Sequence, residues 1–189
     1  MAEHTGTRTV VVDLDRCLAC RACEMACAKA HAGYEDIVQA VLDGARLVPR
    51  VHVVAAEGMA VPVQCQHCED APCAAVCPSG ALYVDEETGA VRAVPARCIG
   101  CKACVVVCPF GAAHYDRGGR RVVRCDLCAE IIAEGAEPSC VAACPTRARR
   151  VVQLEDMSRR KRKEAAARTV RVFRAEQERG SEEESHARR

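Results

Sequence analysis

The chain has 189 residues, of which sixteen are cysteine and only 3% are aromatic, with no tryptophan. So few large apolar side chains exclude a conventional aromatic-rich core, and metal centres or cross-links would have to replace part of it. The formal net charge of +1 gives the bare chain no strong electrostatic field, and no stretch approaches the ~18 apolar residues of a membrane span.

Short strands and turns are predicted along most of the chain. In chain order, the predicted strand segments are 10–12, 51–54, 60–63, the hairpin 81–94 with its turn near Glu87 to Gly89, 114–115 with 121–124, and 151–152. A short helix is expected after each cysteine run, since Pro78, Pro109 and Pro145 suit a first helical turn.

The composition changes after Leu154. Residues 155–179 predict a charged C-terminal helix with a narrow apolar stripe, and residues 180–189 predict a disordered tail. The basic run at 159–163 is either a solvated helix face or a docking element for a partner.

The sixteen cysteines form four runs, and each run begins C-x-x-C and ends C-x-x-x-C. The runs are Cys17, Cys20, Cys23, Cys27; Cys65, Cys68, Cys73, Cys77; Cys98, Cys101, Cys104, Cys108; and Cys125, Cys128, Cys140, Cys144. Proline follows the last cysteine in three of the four runs. This is the pattern that holds [4Fe–4S] clusters in bacterial ferredoxins, so four runs predict four clusters.

Disulfides and zinc are the alternatives for so many thiols. Disulfides need an oxidising compartment, whereas the N-terminal sequence shows no signal-peptide pattern, so we expect a cytoplasmic protein with reduced thiols. Zinc ribbons pair two C-x-x-C units across a spacer, and the dense spacing of the first and third runs departs from that pattern. Iron–sulfur clusters are therefore favoured, and the soft thiolate donors suit iron.

The motifs resemble one known family along nearly the whole chain to about Phe173. The chain resembles the four-cluster ferredoxin-like subunits of bacterial oxidoreductases, such as those of dimethyl sulfoxide reductase, formate dehydrogenase and formate hydrogenlyase. It is most similar to the iron–sulfur subunit of nickel carbon monoxide dehydrogenase. The resemblance rests on CLACRACEMAC (17–27), PVQCQHCEDAPC (62–73), CIGCKACVVVCPFG (98–111) and the basic residues around 160–167.

The resemblance implies an α+β fold of two ferredoxin-like dicluster modules within residues 1–154. Module A would comprise residues 1–46 and 113–154, and module B residues 47–112. In this family the last cysteine of one run ligates the cluster of the paired run. Runs one and four pair, as do runs two and three; since only residues 78–97 separate runs two and three, their pairing is also expected from spacing.

Four ligand sets follow from this implied pairing. We call them site 1 (Cys17, Cys20, Cys23, Cys144), site 2 (Cys65, Cys68, Cys73, Cys108), site 3 (Cys98, Cys101, Cys104, Cys77) and site 4 (Cys125, Cys128, Cys140, Cys27). Cys27 departs from the family pattern because Ala28, not proline, follows it. With about −2 on each oxidised cluster, the assembled protein would carry about −7, which disfavours nucleic acid as a partner.

The resemblance implies a one-electron relay in anaerobic metabolism, with no catalytic residue and no substrate site in this chain. The expected partner is a catalytic oxidoreductase, either a carbon monoxide dehydrogenase or a molybdenum or tungsten enzyme such as formate dehydrogenase. A hydrogenase or a flavoprotein would accept the electrons, and any membrane association would be through a partner. A cluster-assembly scaffold and a redox-sensing regulator remain as alternatives.

Three side chains near the runs are candidates for influencing the clusters. Arg21 and Lys102 lie inside cluster loops, where a cation would raise the reduction potential unless it simply faces water. His67, between Cys65 and Cys68, is expected to be an outer hydrogen-bonding or exposed group, because no cysteine is missing from its run.

Overall fold

The computed structural model describes residues 8–116, 118 and 121–187. Two compact units are present, Met1–Val152 and Gln153–Arg189. The cysteine runs all lie in the first unit, so it contains every predicted cluster ligand. The predicted turn at 117–120 lies mostly outside the described residues.

Four two-stranded sheets make up the strand content of the described residues. They pair β1 (Arg8–Val12) with β8 (Arg149–Gln153), β2 (Val51–Ala56) with β3 (Met59–Gln64), β4 (Leu82–Val84) with β5 (Val91–Ala93), and β6 (His114–Asp116) with β7 (Arg121–Val123). The last three pairs are antiparallel hairpins. The β1–β8 pair joins the two ends of the first unit, which brings run one and run four into one neighbourhood.

Helices in the first unit are short, and all except α2 lie at least partly within a cysteine run. They are α1 (Ala22–Ala32), α2 (Ile37–Leu42), α3 (Pro72–Ala75), α4 (Ala103–Val107), α5 (Ala129–Ala133) and α6 (Ser139–Ala142). Single 3-10 turns at Leu14–Arg16 and Pro95–Arg97 precede runs one and three. Short helices and short antiparallel strands give the α+β class expected of a ferredoxin-like dicluster domain.

The prediction that Pro78, Pro109 and Pro145 begin short helices after their runs is wrong. Pro78, Pro109 and Pro145 lie in turns after the runs, not in helices. The helices instead contain the third cysteine of each run and end at or before the fourth, except that α1 includes both Cys23 and Cys27. Proline therefore keeps the chain from continuing as a helix beyond the last cysteine, because its ring clashes with the preceding turn.

Two apolar clusters form the core, and cysteines belong to both. The first contains Val10, Cys23, Cys27, Val51, Val53, Ala90, Leu127, Cys140 and Val141. The second contains Ala71, Cys73, Leu82, Val91 and Cys104, with Val122 packed against it. Thiol groups thus occupy core positions that larger apolar side chains fill in most proteins.

Two hairpins pack across the module boundaries proposed from the family resemblance, which stay a prediction. Val51 and Val53 of β2 pack with run one and run four, although the boundary at residue 47 assigned them to module B. Val122 of β7 packs with runs two and three, although residues 113–154 were assigned to module A. Packing between distant segments, and not position along the chain, decides which runs these strands cover.

The second unit is the helix α7 (Leu154–Ala187). It contains the helix predicted at 155–179 and continues through most of the segment that was predicted to be disordered. Three consecutive glutamates, Glu182 to Glu184, have good helix propensity and extend a helix that is already formed upstream, which accounts for the difference. Within the described residues, no helix combines the length and apolarity that crossing a bilayer requires.

Val51 and Val54 test the core because they lie on opposite faces of β2, 2% and 48% exposed. We expect Val51→Ala to destabilise the folded holoprotein by about 2 kcal/mol through lost burial and the cavity left behind. Val54→Ala is the matched control and should stay within about 0.5 kcal/mol of wild type. Loss of visible cluster absorbance on heating measures both, and equal losses would contradict the assignment of Val51 to the core.

Candidate iron–sulfur sites

The four C-x-x-C loops share one backbone conformation. The residue before the second cysteine has a positive φ in every loop: Ala19 (56°), His67 (49°), Gly100 (70°) and Leu127 (62°). Left-handed backbone costs a non-glycine residue about 1–2 kcal/mol of conformational energy. Three of the four loops have a non-glycine residue at this position and therefore carry this cost. The amides of His67 and Leu127 donate to the first thiol of their own loops, Cys65 Sγ at 3.3 Å and Cys125 Sγ at 3.4 Å.

Three cavities of nearly equal size occur where the sequence predicts clusters. Each has a volume of about 20 Å³. Each cavity is lined by all four cysteines of one predicted set: Cys17, Cys20, Cys23 and Cys144; Cys65, Cys68, Cys73 and Cys108; and Cys77, Cys98, Cys101 and Cys104. The structure therefore brings the last cysteine of runs two, three and four to the partner run.

The fourth set is the most deeply buried. Burial raises the pKa of the Cys27 thiol to about 12 and raises that of Cys125 well above its usual range. Cys140 is close enough to add to both shifts by charge repulsion, and Cys128 adds to the shift of Cys27. Cys27 of run one therefore lies with the three cysteines of run four. Such thiols would stay protonated in a bare protein, whereas iron binds the thiolate.

Buried N–H groups around the cysteines provide a test of whether clusters fit. Among the described side chains, the buried nitrogens without a protein partner include Arg50 Nε, His67 Nε2, Arg124 Nε, Arg149 Nε and Arg149 Nη1. An unpaired buried donor costs about 1–3 kcal/mol, and sulfur atoms of a cluster would accept such bonds. Thiolate ligands together with surrounding unpaired donors fit an iron–sulfur cluster.

His67 is buried, not exposed, and its role is that of a donor. Its Nδ1 accepts a hydrogen bond from the amide of Val91 at 3.0 Å, so the ring proton resides on Nε2. Burial, reinforced by the nearby Arg124 charge, lowers the pKa of His67 to about 4. A neutral imidazole with a free Nε2–H group agrees with the expectation of an outer hydrogen-bonding residue and not a ligand.

Arg124 and Arg149 are functional side chains that the sequence analysis missed. Arg124 is 4% exposed and donates from Nη1 to Cys73 Sγ at 3.1 Å and from Nη2 to Cys65 Sγ, both of site 2. Arg149 is 2% exposed and donates from Nη2 to the side-chain oxygen of Gln64 and to Cys140 Sγ at 3.5 Å. Its charge also offsets part of the burial that raises the pKa of Cys23. The only sequence signal was an arginine inside or beside a short valine-rich strand.

Arg21 and Lys102, the cations that the sequence singled out, are exposed. Arg21 pairs with Glu24 at 3.3 Å, and Lys102 lies 4.9 Å above the ring of Tyr115. Surface pairs of this kind contribute at most about 1 kcal/mol. The buried arginines, which lie in a medium of lower dielectric constant, act more strongly on the sites than these loop cations.

His31 is a second missed neighbour of a cysteine. Its Nε2 lies 4.0 Å from Cys128 Sγ and 3.6 Å from a carboxylate oxygen of Asp126, which also pairs with Arg50. Residue 31 is far from run four in the sequence, so no local pattern could reveal this contact. Since Cys128 belongs to site 4, His31 is part of its surroundings and not of a separate metal site.

Comparisons with known proteins show an iron–sulfur family. The family profile described as "4Fe-4S dicluster domain" matches residues 56–154. An iron–sulfur protein of Rhodospirillum rubrum is 44% identical over 170 residues, which cover 82% of this chain and 87% of the relative. The electron transport protein HydN of Escherichia coli K12 is 38% identical and covers 84% and 97%. The thiosulfate reductase electron transfer subunit PhsB of Salmonella typhi is 36% identical and covers 82% and 81%.

Replacing the buried guanidinium at site 2 should change one reduction potential. Arg124→Gln removes a cation that favours the more negative reduced state, so we expect a decrease of about 60 mV, the one-electron equivalent of a tenfold change in equilibrium. An EPR-monitored redox titration measures the shift. Arg124→Lys should recover part of it, and exposed Arg121→Gln is the control. A potential unchanged in Arg124→Gln would contradict the role assigned to this arginine.

The crossed ligation of Cys27 gives a second test. Cys27→Ser should perturb the cluster held by Cys125, Cys128 and Cys140, because the structure groups Cys27 with them. Mössbauer and EPR spectra of the variant, compared with Cys128→Ser, should show the same cluster affected. Loss of the site 1 signal with the site 4 signal intact would exclude the crossed arrangement.

Proposed function

This chain belongs to the 4Fe-4S dicluster family of iron–sulfur electron-transfer proteins, and on that premise we propose that it relays single electrons through four [4Fe–4S] clusters. The relay would connect a catalytic oxidoreductase with a downstream acceptor. The observation that carries the proposal is the set of three equal cavities, each lined by four cysteines of paired runs, beside a fourth buried group.

The proposed roles of the residues follow from their positions. The sixteen cysteines hold the clusters, which supply one-electron redox chemistry when bound. Arg124, Arg149 and His67 donate hydrogen bonds toward the sites and stabilise negative charge there. None of these groups acts as an acid, base or nucleophile, so substrate chemistry is assigned to a partner.

A route through the four sites follows from their nearest neighbours. Cys23 of site 1 and Cys140 of site 4 are close enough to interact by charge. Arg149, which donates to Cys140, also bonds Gln64, the residue before Cys65 of site 2. Cys104 of site 3 interacts in turn with Cys73 of site 2. The proposed order is therefore site 1, site 4, site 2, site 3, with the step between modules passing beside Arg149 and Arg124.

Exposure agrees with sites 1 and 3 as the ends of this route. Cys20 of site 1 and Cys101 of site 3 are the only exposed cysteines among the described residues. In contrast, sites 2 and 4 hold five buried cysteines: Cys65, Cys73, Cys27, Cys128 and Cys140. Electrons would enter and leave at the exposed ends, and buried sites 4 and 2 would connect them.

The catalytic partner is proposed on the sequence resemblance. A carbon monoxide dehydrogenase is the first candidate, and a molybdenum or tungsten enzyme such as formate dehydrogenase is the second. A separate catalytic subunit as such is supported by PhsB, which is named as the electron transfer subunit of a thiosulfate reductase. A hydrogenase or flavoprotein is the proposed acceptor, and a membrane would be reached only through a partner.

Anoxic purification from the native source under mild conditions tests this function. We expect about sixteen irons per chain and a co-purifying redox enzyme, with nickel indicating carbon monoxide dehydrogenase and molybdenum or tungsten a formate- or oxide-converting enzyme. Clusters that survive incubation with an apo-acceptor protein support a relay. Rapid and complete transfer of the clusters to that acceptor would instead make the chain an assembly scaffold and refute the relay.

A further inference from the structure

Sites 1 and 3 share an arrangement of exposed residues that sites 2 and 4 lack. Both runs follow a 3-10 turn that ends on an exposed arginine, Arg16 or Arg97. Both C-x-x-C loops carry an apolar second residue, Leu18 or Ile99, and each is 67% exposed. The same position is polar in the other two loops, Gln66 and Asp126. The shared arrangement is therefore specific to sites 1 and 3, the exposed ends of the proposed electron route.

In both loops the residue after the second cysteine is a cation, and it has a left-handed backbone conformation that is unfavourable for a non-glycine residue. Arg21 (φ 57°) and Lys102 (φ 64°) are the residues before α1 and α4, and neither side chain caps its helix. A left-handed backbone is usually left to glycine or asparagine, and it costs other residues about 1–2 kcal/mol. An exposed cation occurs at this unfavourable position in both loops, which indicates that its charge has a function.

The helices that follow extend both surfaces with an apolar residue. Met25 and Val106 lie four residues after Arg21 and Lys102, hence on the same helix face, and are 53% and 82% exposed. We define the site 1 face as Arg16, Leu18, Cys20, Arg21 and Met25, and the site 3 face as Arg97, Ile99, Cys101, Lys102 and Val106. Each face is an apolar patch beside an exposed thiol, flanked by two cations.

The site 3 face has a clearer positive charge than the site 1 face. Residues 95–108 contain Arg97 and Lys102 and no acidic residue. The site 1 face has Asp15 and Glu24 nearby, and Glu24 already pairs with Arg21. The assembled protein as a whole is negative, about −7, because a chain of charge +1 holds four clusters of about −2 each, so these local cations determine where an acidic surface can approach.

We propose that the site 1 and site 3 faces are docking surfaces for redox partners that present an apolar patch bordered by carboxylates. The inference rests on the proposed relay and adds the chemistry of the partner surface. Apolar contact at Leu18 or Ile99 would exclude water next to the nearest cysteines, and the flanking cations would orient the partner. A second copy of this chain is disfavoured at the site 3 face, because two faces that each carry Arg97 and Lys102 without an acidic residue repel each other.

The test uses the holoprotein and gold electrodes coated with carboxylate-terminated or amine-terminated alkanethiols, so that no biological partner is needed. We expect wild type to exchange electrons faster with the carboxylate surface, despite its negative net charge. Reversing both faces with Arg16→Glu, Arg21→Glu, Arg97→Glu and Lys102→Glu should lower that rate at least tenfold and favour the amine surface. Each two-residue reversal alone should give a partial loss.

Controls separate docking from cluster loading and from the relay itself. Arg150→Glu with Arg168→Glu changes two exposed cations outside both faces and should keep the wild-type rate. All variants should show wild-type iron content, EPR spectra and reduction by dithionite, a small reductant that needs no docking face. If charge reversal impairs loading, the corresponding glutamine variants replace it.

Three outcomes would overturn the docking proposal. A four-residue reversal that keeps the wild-type rate on carboxylate would show that the faces are not used, and normal dithionite reduction would leave the relay intact. Wild type that prefers the amine surface would exclude an acidic partner. Concentration-dependent dimerisation of wild type, abolished by reversal, would assign the faces to a second copy. Failure of dithionite to reduce wild type would instead count against the relay.

Discussion

The structure depends on the burial of thiol groups, which are apolar core residues while protonated and become the proposed iron ligands on losing the proton. Cys27 and Cys140 are core residues, and burial raises the pKa of Cys27 to about 12. Metal binding reverses that protonation, since it replaces the thiol proton with iron and provides acceptors for the nearby N–H groups. The short helices and two-stranded sheets are too small to be stable alone, so folding and cluster binding are one process.

Two buried arginines connect the electrostatics of the sites with the packing of the chain. Arg124 follows β7 and donates to two cysteines of site 2, while Arg149 begins β8 and contacts site 4. Isolated buried guanidinium groups would be unstable, and the thiolate and cluster charges around them provide the compensation. Both arginines also lie between the two cluster pairs, where Gln64 links Arg149 to the strand that enters run two. The same contacts that hold the halves together surround the proposed route between them.

The four cysteine runs are similar in sequence but differ in how far their loops are exposed to solvent, and this difference suits them to different proposed roles. The second loop residue is apolar and exposed in runs one and three, whereas the third loop residue is buried in runs two and four, as His67 and Leu127. Buried loops protect their sites from water and hold neighbouring sites close to one another. Exposed loops leave a cysteine and an apolar contact at the surface, as exchange with a partner protein requires. A repeated motif thus supplies both the interior and the ends of the proposed relay.

The sequence by itself determined the iron–sulfur chemistry, the α+β class and the four cysteine runs, because thiol spacing is a local property of the chain. The crossed ligand sets came from the family resemblance and stay a prediction. The hairpin at 81–94 and the helix after residue 154 could also be predicted from local patterns. Only the tertiary structure decided that β2 packs with runs one and four and that Val122 packs with runs two and three. It also decided that Arg124, Arg149 and His31 lie beside cysteines distant in sequence, and that Arg21 and Lys102 face solvent. Such contacts arise from strand pairing and burial between distant segments, and no spacing along the chain encodes them.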